Sequence, residues 1–328
     1  MTAAPSLHEI YGSIGPELQE VEREFERQVD SPVDVIRRAS RYLMEGGGKR
    51  IRPALLLLTT RLLNFSGRLA ILFAAIVELI HTATLIHDDI VDEADLRRGR
   101  ASLNRRMGND ITVLMGDYLY IKSVSLAVHQ KNQRILEILA EVTLRMVEGE
   151  LIELAHAGRI DITEDEHLDV VRRKTAHLFS ACTEIGAVIS GAREDQIVKL
   201  RDYGMELGMA FQIVDDILDF TSTEKMLGKP VVNDLREGRL TLPLIYLLRK
   251  GNDEHRDAIA TVLRERDYGT VSRERILSIV SQDGVIEQTR DFARKFGQSA
   301  CARLAIFDDS DTKRALAALP TYILEREK

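Results

Sequence analysis

Two clusters of aspartate residues are the part of this sequence best suited to chemistry. The first, within LIHDDIVDEADLRRGR, has the spacing D-D-x-x-D, and FQIVDDILDF repeats that spacing 127 positions later. The aspartates are Asp88, Asp89, Asp92, Asp215, Asp216 and Asp219. Residues three and four apart are neighbours on a helix, so each cluster would place like charges on one face, where they repel. We therefore expect a cation over each face.

Carboxylate oxygens are ligands for hard cations such as Mg²⁺. This ion keeps several waters, uses one or two protein carboxylates and binds the phosphate oxygens of a substrate. Either cluster alone could be the solvated side of an amphipathic helix, but two clusters with the same spacing favour one shared metal site. The expected substrate is a phosphate ester.

Basic residues accompany both the acidic clusters and a glycine turn. In GGGKRIRP, Lys49, Arg50 and Arg52 follow three glycines at the expected start of a helix, whose amide donors suit a diphosphate. The spacing is not that of a nucleotide P-loop. Arg97 and Arg98 follow the first acidic cluster, and arginine can bind phosphate through two parallel hydrogen bonds. A glycine helix stop followed by solvated cations remains the alternative.

Long helices must position these residues, because no proline occurs between Pro53 and Pro230. We expect helices to begin at Ser31 and Pro32, at Pro53, and at a capping box formed by Thr163 and Glu166. Apolar spacing predicts further helices over 68–94, 110–129, 133–157 and 194–220, with a connector over 101–108 and a polar loop over 221–234. No strand is predicted. The expected fold is all-α: one domain over 1–328, a helical bundle with two acidic helix ends facing across a central cavity.

Composition excludes several classes of protein. The 328 residues have a formal net charge of −7, which argues against a general nucleic-acid binder. The two cysteines, Cys182 and Cys301, form neither a zinc motif nor a disulfide framework. The acidic first residues do not resemble a signal sequence. The longest apolar run, 69–86, contains Glu78 and His81 and is better explained as a core helix than as a membrane span. We expect a soluble, cytoplasmic protein with no transmembrane segment.

Taken together, the motifs resemble a known family. GGGKRIRP, HDDIVDEADLRRGR, KTA, FQIVDDILDF and GKPVVNDLREGRLTLP are similar to the motifs of the trans-isoprenyl diphosphate synthases, also called polyprenyl synthetases, and most of all to long-chain members of the octaprenyl type. The similarity covers roughly residues 33–248. It implies an isoprenoid synthase fold, a homodimer, and a prenyltransferase that joins isopentenyl diphosphate head to tail to an allylic diphosphate. It also implies three Mg²⁺ ions when diphosphate is bound.

The resemblance implies roles for individual residues. Asp88 and Asp92 would be the main Mg²⁺ ligands of the first cluster and Asp215 that of the second, with the remaining three aspartates completing the metal set. The residues implied to bind isopentenyl diphosphate are Lys49, Arg52, His81 and Arg98. Those implied to bind the allylic diphosphate are Arg97, Lys174 and Lys229. Thr175 and Gln212 would face the reacting carbons, where their oxygens stabilise positive charge.

The chemistry of such a reaction agrees with these roles. Breaking an allylic C–O bond gives a carbocation and a diphosphate, and cations stabilise the charge that develops on the leaving oxygen. No side-chain base is evident, so the released diphosphate is the expected proton acceptor. Two positions depart from the family pattern, which usually has a glycine near Val232 and a lysine at Arg239. We expect these departures to alter fine geometry rather than activity.

The length of the product depends on the helix before the first cluster. In the family, large aromatic residues four and five positions before the first aspartate give short products, but here these residues are Thr84 and Ala83. The fifteen residues from Phe73 to Asp88 span about 22 Å of helix, room for about four isoprene units at about 5.4 Å each. We expect six or more units, as in quinone side chains. Met115 and Tyr118 could close the cavity earlier.

Four other readings stay open. A class I terpene cyclase would be expected to have a different second motif and an aromatic cavity, and this chain has no tryptophan. A phosphohydrolase of the HD type would need more histidine ligands near His87 than the sequence offers. A non-catalytic subunit of a heteromeric synthase would be expected to lose one aspartate cluster. A shorter-chain synthase, making geranylgeranyl or farnesylgeranyl diphosphate, would keep both.

Overall fold

The structure is a computed structural model that describes residues 5–223 and 231–326. As predicted, the described chain is almost entirely helical. The helices are α1 (Leu7–Tyr11), α2 (Gly15–Val29), α3 (Asp34–Met44), α4 (Ile51–Leu62), α5 (Arg68–Val91), α6 (Leu103–Met107), α7 (Asn109–His129), α8 (Gln133–His156), α9 (Glu164–Val171), α10 (His177–Ile189), α11 (Glu194–Thr221), α12 (Asn233–Arg236), α13 (Leu242–Arg249), α14 (Asp253–Glu265), α15 (Arg273–Gln282), α16 (Val285–Arg303) and α17 (Asp311–Glu325).

Helix boundaries follow the sequence prediction closely where apolar periodicity is strong. The helices predicted over 110–129 and 133–157 correspond to α7 and α8. The capping box that opens α9 is present, with the Glu166 amide donating to the Thr163 hydroxyl at 3.2 Å and the Thr163 amide donating back to the Glu166 carboxylate at 2.8 Å.

Two predicted helix starts were wrong. Ser31 does not cap α3, whose N-cap is Val33; the Ser31 hydroxyl instead accepts a hydrogen bond from the Val33 amide at 3.2 Å. Pro53 does not open α4, because Arg50 adopts a left-handed conformation with φ 51° and turns the chain into the helix two residues earlier. Local cap rules placed these two starts, and the packing of the neighbouring turns overrode them.

A short hairpin, absent from the sequence prediction, follows α5. Strands β1 (Leu96–Arg97) and β2 (Arg100–Ala101) pair antiparallel, and Arg97 lies opposite Arg100. Between them Arg98 and Gly99 have φ of 52° and 73°, as two-residue hairpin turns require. Strands of two residues are too short to show an alternating pattern, so the prediction of no strand was wrong. The hairpin places Arg97 and Arg98 on a fixed backbone beside the first acidic cluster.

One turn of π-helix, Arg172–Ala176, joins α9 to α10. Such widened turns often occur at functional sites. This one contains Lys174 and Thr175. Helix α8 crosses it at Gly149, where an added methyl group would lie only 2.9 Å from the backbone nitrogen of Lys174. The π turn therefore depends on the close approach of a glycine.

The helix α5 forms the centre of the fold. It packs against α7, α4 and α2, and its side chains from Phe73 to Ile80 are almost completely buried. Both α5 and α7 are long and apolar enough to cross a membrane, but buried core helices have the same character, and 67% of the most apolar stretch of α5 lies inside the protein. The predicted interpretation of 69–86 as a core helix is consistent with this burial.

Candidate active site

The two acidic clusters meet across one cleft. The first lies at the C-terminal end of α5 and the second on α11, and the cleft between them has a volume of about 310 Å³. The predicted site residues that line it are Asp88, Asp92, Arg97, Lys174, Thr175, Gln212, Asp215, Asp216 and Asp219. Residues from four separate segments thus converge where the sequence analysis expected a shared site.

Asp88 faces this cleft from the last turn of α5. The helix dipole places partial negative charge at this end, so a carboxylate here is favourable only beside a cation. Burial raises the pKa of Asp88 to about 7; the nearby Lys174 ammonium opposes the rise, and the Glu150 and Asp92 carboxylates add to it. Asp88 is therefore a carboxylate that a further positive charge would stabilise.

The other two aspartates of the first cluster are paired with arginines. Asp89 is buried and accepts a hydrogen bond from Arg97 Nε at 2.6 Å, outside the lining of the cleft. Asp92, which ends α5, accepts from the Arg239 guanidinium. Burial raises the pKa of Asp89, and Arg97 opposes that rise. Asp89 thus holds an arginine in place beside the cleft, while Asp88 and Asp92 face into it.

In the second cluster, two aspartates have basic partners from distant parts of the chain. Asp215 accepts a hydrogen bond from Arg326, which follows α17 and stacks 4.0 Å from the centre of the Phe211 ring. Asp216 is buried and lies 2.9 Å from the Nε2 atom of His167. Burial raises the pKa of Asp216, and the hydrogen bond and charge of His167 oppose that rise.

Asp219 accepts hydrogen bonds from the backbone of the segment that follows residue 230. Its two carboxylate oxygens accept hydrogen bonds from the amides of Asn233 at 3.1 Å and Asp234 at 3.3 Å, at the start of α12. The Val232 amide donates to the Asp219 carbonyl at 2.8 Å. This aspartate, expected in the metal set, therefore also anchors the segment that follows the second cluster.

Carboxylates on both walls of the cleft form a donor set that fits Mg²⁺. Within the part of the chain that the structure describes, no three His, Cys, Asp or Glu side chains converge into a ready-made metal group. Mg²⁺ does not require one, because it completes its shell with waters and substrate phosphate oxygens. Asp88 and Asp92 on one wall and Asp215 on the other are the residues that would hold it.

Lys174 and Thr175 reach the cleft from the π turn. The Lys174 ammonium lies 2.6 Å from Glu150 and 2.5 Å from Glu153, which are on α8. Thr175 Oγ1 donates to Gln212 Oε1 at 2.8 Å. The family resemblance implied that Thr175 and Gln212 both face the reacting carbons. In the structure these two side chains are in direct contact. Lys229 lies outside the described residues.

A group of basic side chains surrounds His81 next to the glycine turn. Arg52 Nη1 lies 3.0 Å from His81 Nε2, and because arginine can only donate, this imidazole nitrogen is the acceptor. Burial, with the charges of Arg52, Arg98 and Arg97, holds the pKa of His81 well below its ordinary value. His81 is therefore a neutral side chain among arginines, whose charge an anionic ligand would balance.

Three other cations at or near the glycine turn have different environments. Arg98 donates to the Gly47 carbonyl, which ties the hairpin to the turn. Arg50 instead donates to Glu22 at 2.5 Å and to Glu78 at 2.6 Å, an ion-pair network that fixes the start of α4. Lys49 is held by its carbonyl, which accepts from the Tyr11 hydroxyl at 3.1 Å.

Sequence reasoning missed three residues of the cleft and its rim, Glu153, His167 and Arg326. Glu153 lies three residues after Glu150 on α8, a helical spacing that could have indicated a second acidic wall. His167 and Arg326 gave no such signal, because each pairs with an aspartate far away in the sequence.

Comparison with known proteins identifies the relatives of this arrangement. A family model described as polyprenyl synthetase matches residues 33–280. The octaprenyl diphosphate synthase of Escherichia coli is 36% identical over 301 residues, covering 92% of this chain and 93% of that protein. The short chain isoprenyl diphosphate synthase of Methanothermobacter thermautotrophicus is 34% identical over 302 residues, covering 91% and 92%. A crystal structure of polyprenyl synthase from Caulobacter crescentus CB15, complexed with calcium and isoprenyl diphosphate, has a TM-score of 0.96 at 32% identity and covers 100% of both chains.

Proposed function

Because the chain belongs to the polyprenyl synthetase family and is a prenyltransferase, we propose that it is a Mg²⁺-dependent all-trans polyprenyl diphosphate synthase. It would join isopentenyl diphosphate to farnesyl or geranyl diphosphate and make a product of six to eight isoprene units for quinone side chains. The observation that carries this proposal is the cleft in which Asp88 and Asp92 face Asp215, with Lys174, Thr175 and Gln212 between them.

The cleft suits an ionisation followed by carbon–carbon bond formation. Bound Mg²⁺ would neutralise the diphosphate as it leaves the allylic carbon. Lys174 and Arg97 add positive charge on the same side, and the Thr175 and Gln212 oxygens would face the carbocation. Near the glycine turn, Arg52 and Arg98 would bind the diphosphate of isopentenyl diphosphate, together with Lys49.

The proposed product length depends on the space below the first cluster. Thr84 lies one turn before Asp88 and is half-buried, and its small side chain would leave the start of a channel open. Below it, Phe73, Ile76, Val77 and Ile80 are each at most 1% exposed. A tail of more than a few units would therefore enter only by pushing these side chains apart.

We also propose a homodimer, on the basis of an apolar surface shared by α7 and α8. The large hydrophobic side chains exposed on these two helices are Val113, Leu114, Ile121, Val128, Leu144, Val147, Leu151 and Leu154. Contiguous apolar surface of this kind marks protein interfaces. A second copy of the chain would bury it, and size-exclusion chromatography with light scattering would give the mass. A charged substitution such as Ile121→Glu should then shift the protein to the monomer.

The remaining expectations concern domain and compartment. We propose one domain over 1–328, since α11 packs against both α10 and α16, which lie on either side of residues 224–230 in sequence. We also propose a cytoplasmic location, to which the two free cysteines are suited.

Product analysis tests the proposed function. The purified protein is incubated with Mg²⁺, farnesyl diphosphate and labelled isopentenyl diphosphate, with a sample in excess chelator as the control, and products are sized by mass spectrometry. Metal-dependent products of six to eight units would support the proposal. Products of four or five units would show a shorter-chain synthase. No elongation from any allylic primer would favour the non-catalytic partner subunit.

A further inference from the structure

His167 makes a buried contact that the proposed reaction has not used. It projects from α9, its side chain is 11% exposed, and its Nε2 atom lies 2.9 Å from an oxygen of Asp216, whose side chain is 3% exposed. An ionised carboxylate can only accept hydrogen bonds, so Nε2 carries the proton and donates it. Among the described residues, Gln212 also donates a hydrogen bond to this carboxylate.

The contact begins a chain of hydrogen bonds with a fixed direction. Gln212 Nε2 donates to the second oxygen of Asp216 at 3.2 Å, which turns the amide so that its oxygen points the other way. That oxygen accepts from the Thr175 hydroxyl at 2.8 Å. Since Thr175 gives its only hydrogen to Gln212, both lone pairs of its oxygen are left for other neighbours. The acceptor-only carboxylate thereby sets the polarity of every group after it.

We propose that His167 is a positioning residue, which holds Asp216 so that Gln212 and Thr175 present oxygen lone pairs to the reacting carbons. The proposal rests on the proposed function, in which those two side chains face an allylic carbocation. A reversed Gln212 amide would direct its two N–H donors towards Thr175, and the hydroxyl hydrogen would turn into the cleft. Hydrogen atoms with positive partial charge would then face the cation and raise the barrier to its formation.

Burial is what makes His167 necessary for this arrangement. In solvent, water would replace the imidazole as a donor to Asp216 at little cost. Here the carboxylate is buried, and losing a donor leaves an unsatisfied oxygen that draws other donors towards it. The Gln212 amide already donates to this carboxylate, so removal of the imidazole would disturb the group whose orientation matters.

Substitutions of matched size test the proposal. His167→Gln keeps an N–H donor, and His167→Leu removes it. We expect His167→Leu to lower kcat roughly tenfold, the effect of one misplaced hydrogen bond, with KM for both substrates unchanged, and His167→Gln to restore most of the rate. Wild-type product formation in the same assay establishes the proposed function independently. Equal rates for the wild type and His167→Leu would overturn the positioning role.

A double-mutant cycle separates positioning from metal binding. Thr175→Val removes the end of the hydrogen-bond chain while keeping the side-chain shape. If His167 acts through that chain, His167→Leu should lower kcat by only about twofold in the Thr175→Val background.

Mn²⁺ binding in the presence of diphosphate, followed by electron paramagnetic resonance, should be the same for the wild type and His167→Leu. A full tenfold effect in both backgrounds, or weakened Mn²⁺ binding, would overturn the proposal and assign His167 to the metal site.

Circular dichroism and thermal unfolding of each variant guard against loss of fold. If His167→Leu does not fold, His167→Asn replaces it in the comparison. The amide introduced by His167→Asn is too short to reach Asp216, whereas the amide introduced by His167→Gln can reach it. The proposal then requires that His167→Gln be several times faster than His167→Asn at equal KM. Equal rates for the two would contradict it.

Discussion

The guanidinium of Arg239 donates to the carboxylate of Asp92, two residues that are 147 positions apart in the sequence. The same guanidinium lies 2.7 Å from Glu237 and 3.3 Å from Glu153. Its planar fork of donors can bind several carboxylates at once, which a lysine ammonium cannot do in the same geometry. Arg239 thus joins the end of α5 to α8 and to the segment that follows α12.

Removal of this arginine should destabilise the protein. Arg239→Ala leaves carboxylates that are mostly buried without their cation, and we expect the free energy of unfolding to fall by about 3 kcal/mol. Arg239→Lys keeps the charge with fewer hydrogen bonds and should cost less than Arg239→Ala while leaving the enzyme active. Urea denaturation measures both. Arg145→Ala, which removes two largely exposed ion pairs on α8, is the control and should change stability by less than about 1 kcal/mol. Equal stability of Arg239→Ala and the wild type would contradict this reading of the contact.

The two acidic clusters should be required together. Asp88→Ala and Asp215→Ala each remove a carboxylate from one wall of the cleft, and we expect kcat to fall by about 10²-fold or more because charge on the leaving group is no longer stabilised. The helical circular dichroism spectrum should not change. Asp308→Ala, at an exposed position outside the cleft, should keep normal turnover. A near-normal rate in either cluster variant would rule out a metal site that uses both motifs.

The acidic cleft could be predicted from the sequence because the signals that indicate it, apolar periodicity and aspartate spacing, are local. Apolar periodicity determined α7 and α8 to within a residue, and the D-D-x-x-D spacing put carboxylates on two helices that do face each other. Contacts between distant residues carried no comparable signal. Arg326 reaches Asp215 across 111 positions, and nothing in the sequence near either residue indicates the other. The π turn was missed for a related reason, since its widening depends on packing against α8 and not on its own residues.

Gly149 should prove essential to that π turn. A methyl group there would lie 2.8 Å from Arg173 Cβ and 2.9 Å from the backbone nitrogen of Lys174, so Gly149→Ala must push the turn away from α8. We expect a loss of about 1–3 kcal/mol of stability and a reduced kcat, because Lys174 and Thr175 move with the turn. Gly12→Ala, where an added methyl group would meet no neighbouring atom within 4 Å and the backbone is right-handed helical, is the control and should keep both properties. Unchanged activity in Gly149→Ala would show that the turn tolerates the shift.

Val232 should show an unusual order of substitutions. It has φ 53°, a left-handed conformation that costs a valine about 1–2 kcal/mol, and its side chain is fully buried. Val232→Ala loses the buried side chain and keeps the strained backbone, whereas Val232→Gly loses the side chain and relieves the strain. Denaturation should find Val232→Gly more stable than Val232→Ala by about 1 kcal/mol. The reverse order would mean that the left-handed conformation is not maintained in solution.

The two small residues proposed to gate the product should respond differently to a phenylalanine. Thr84 is half-buried one turn before Asp88, so the ring of Thr84→Phe would occupy the start of the channel, and we expect products to shorten with kcat for the first condensation largely kept. Ala83 is 2% exposed and packs in a cluster with Met115 and Leu119, so Ala83→Phe should overpack that cluster and cost about 1–3 kcal/mol before it affects the product. Mass spectrometry of products and thermal unfolding of both variants separate the two effects. Thr84→Val, similar in size to the original residue, should keep the wild-type product, and an unchanged product from Thr84→Phe would place the channel on another face of α5.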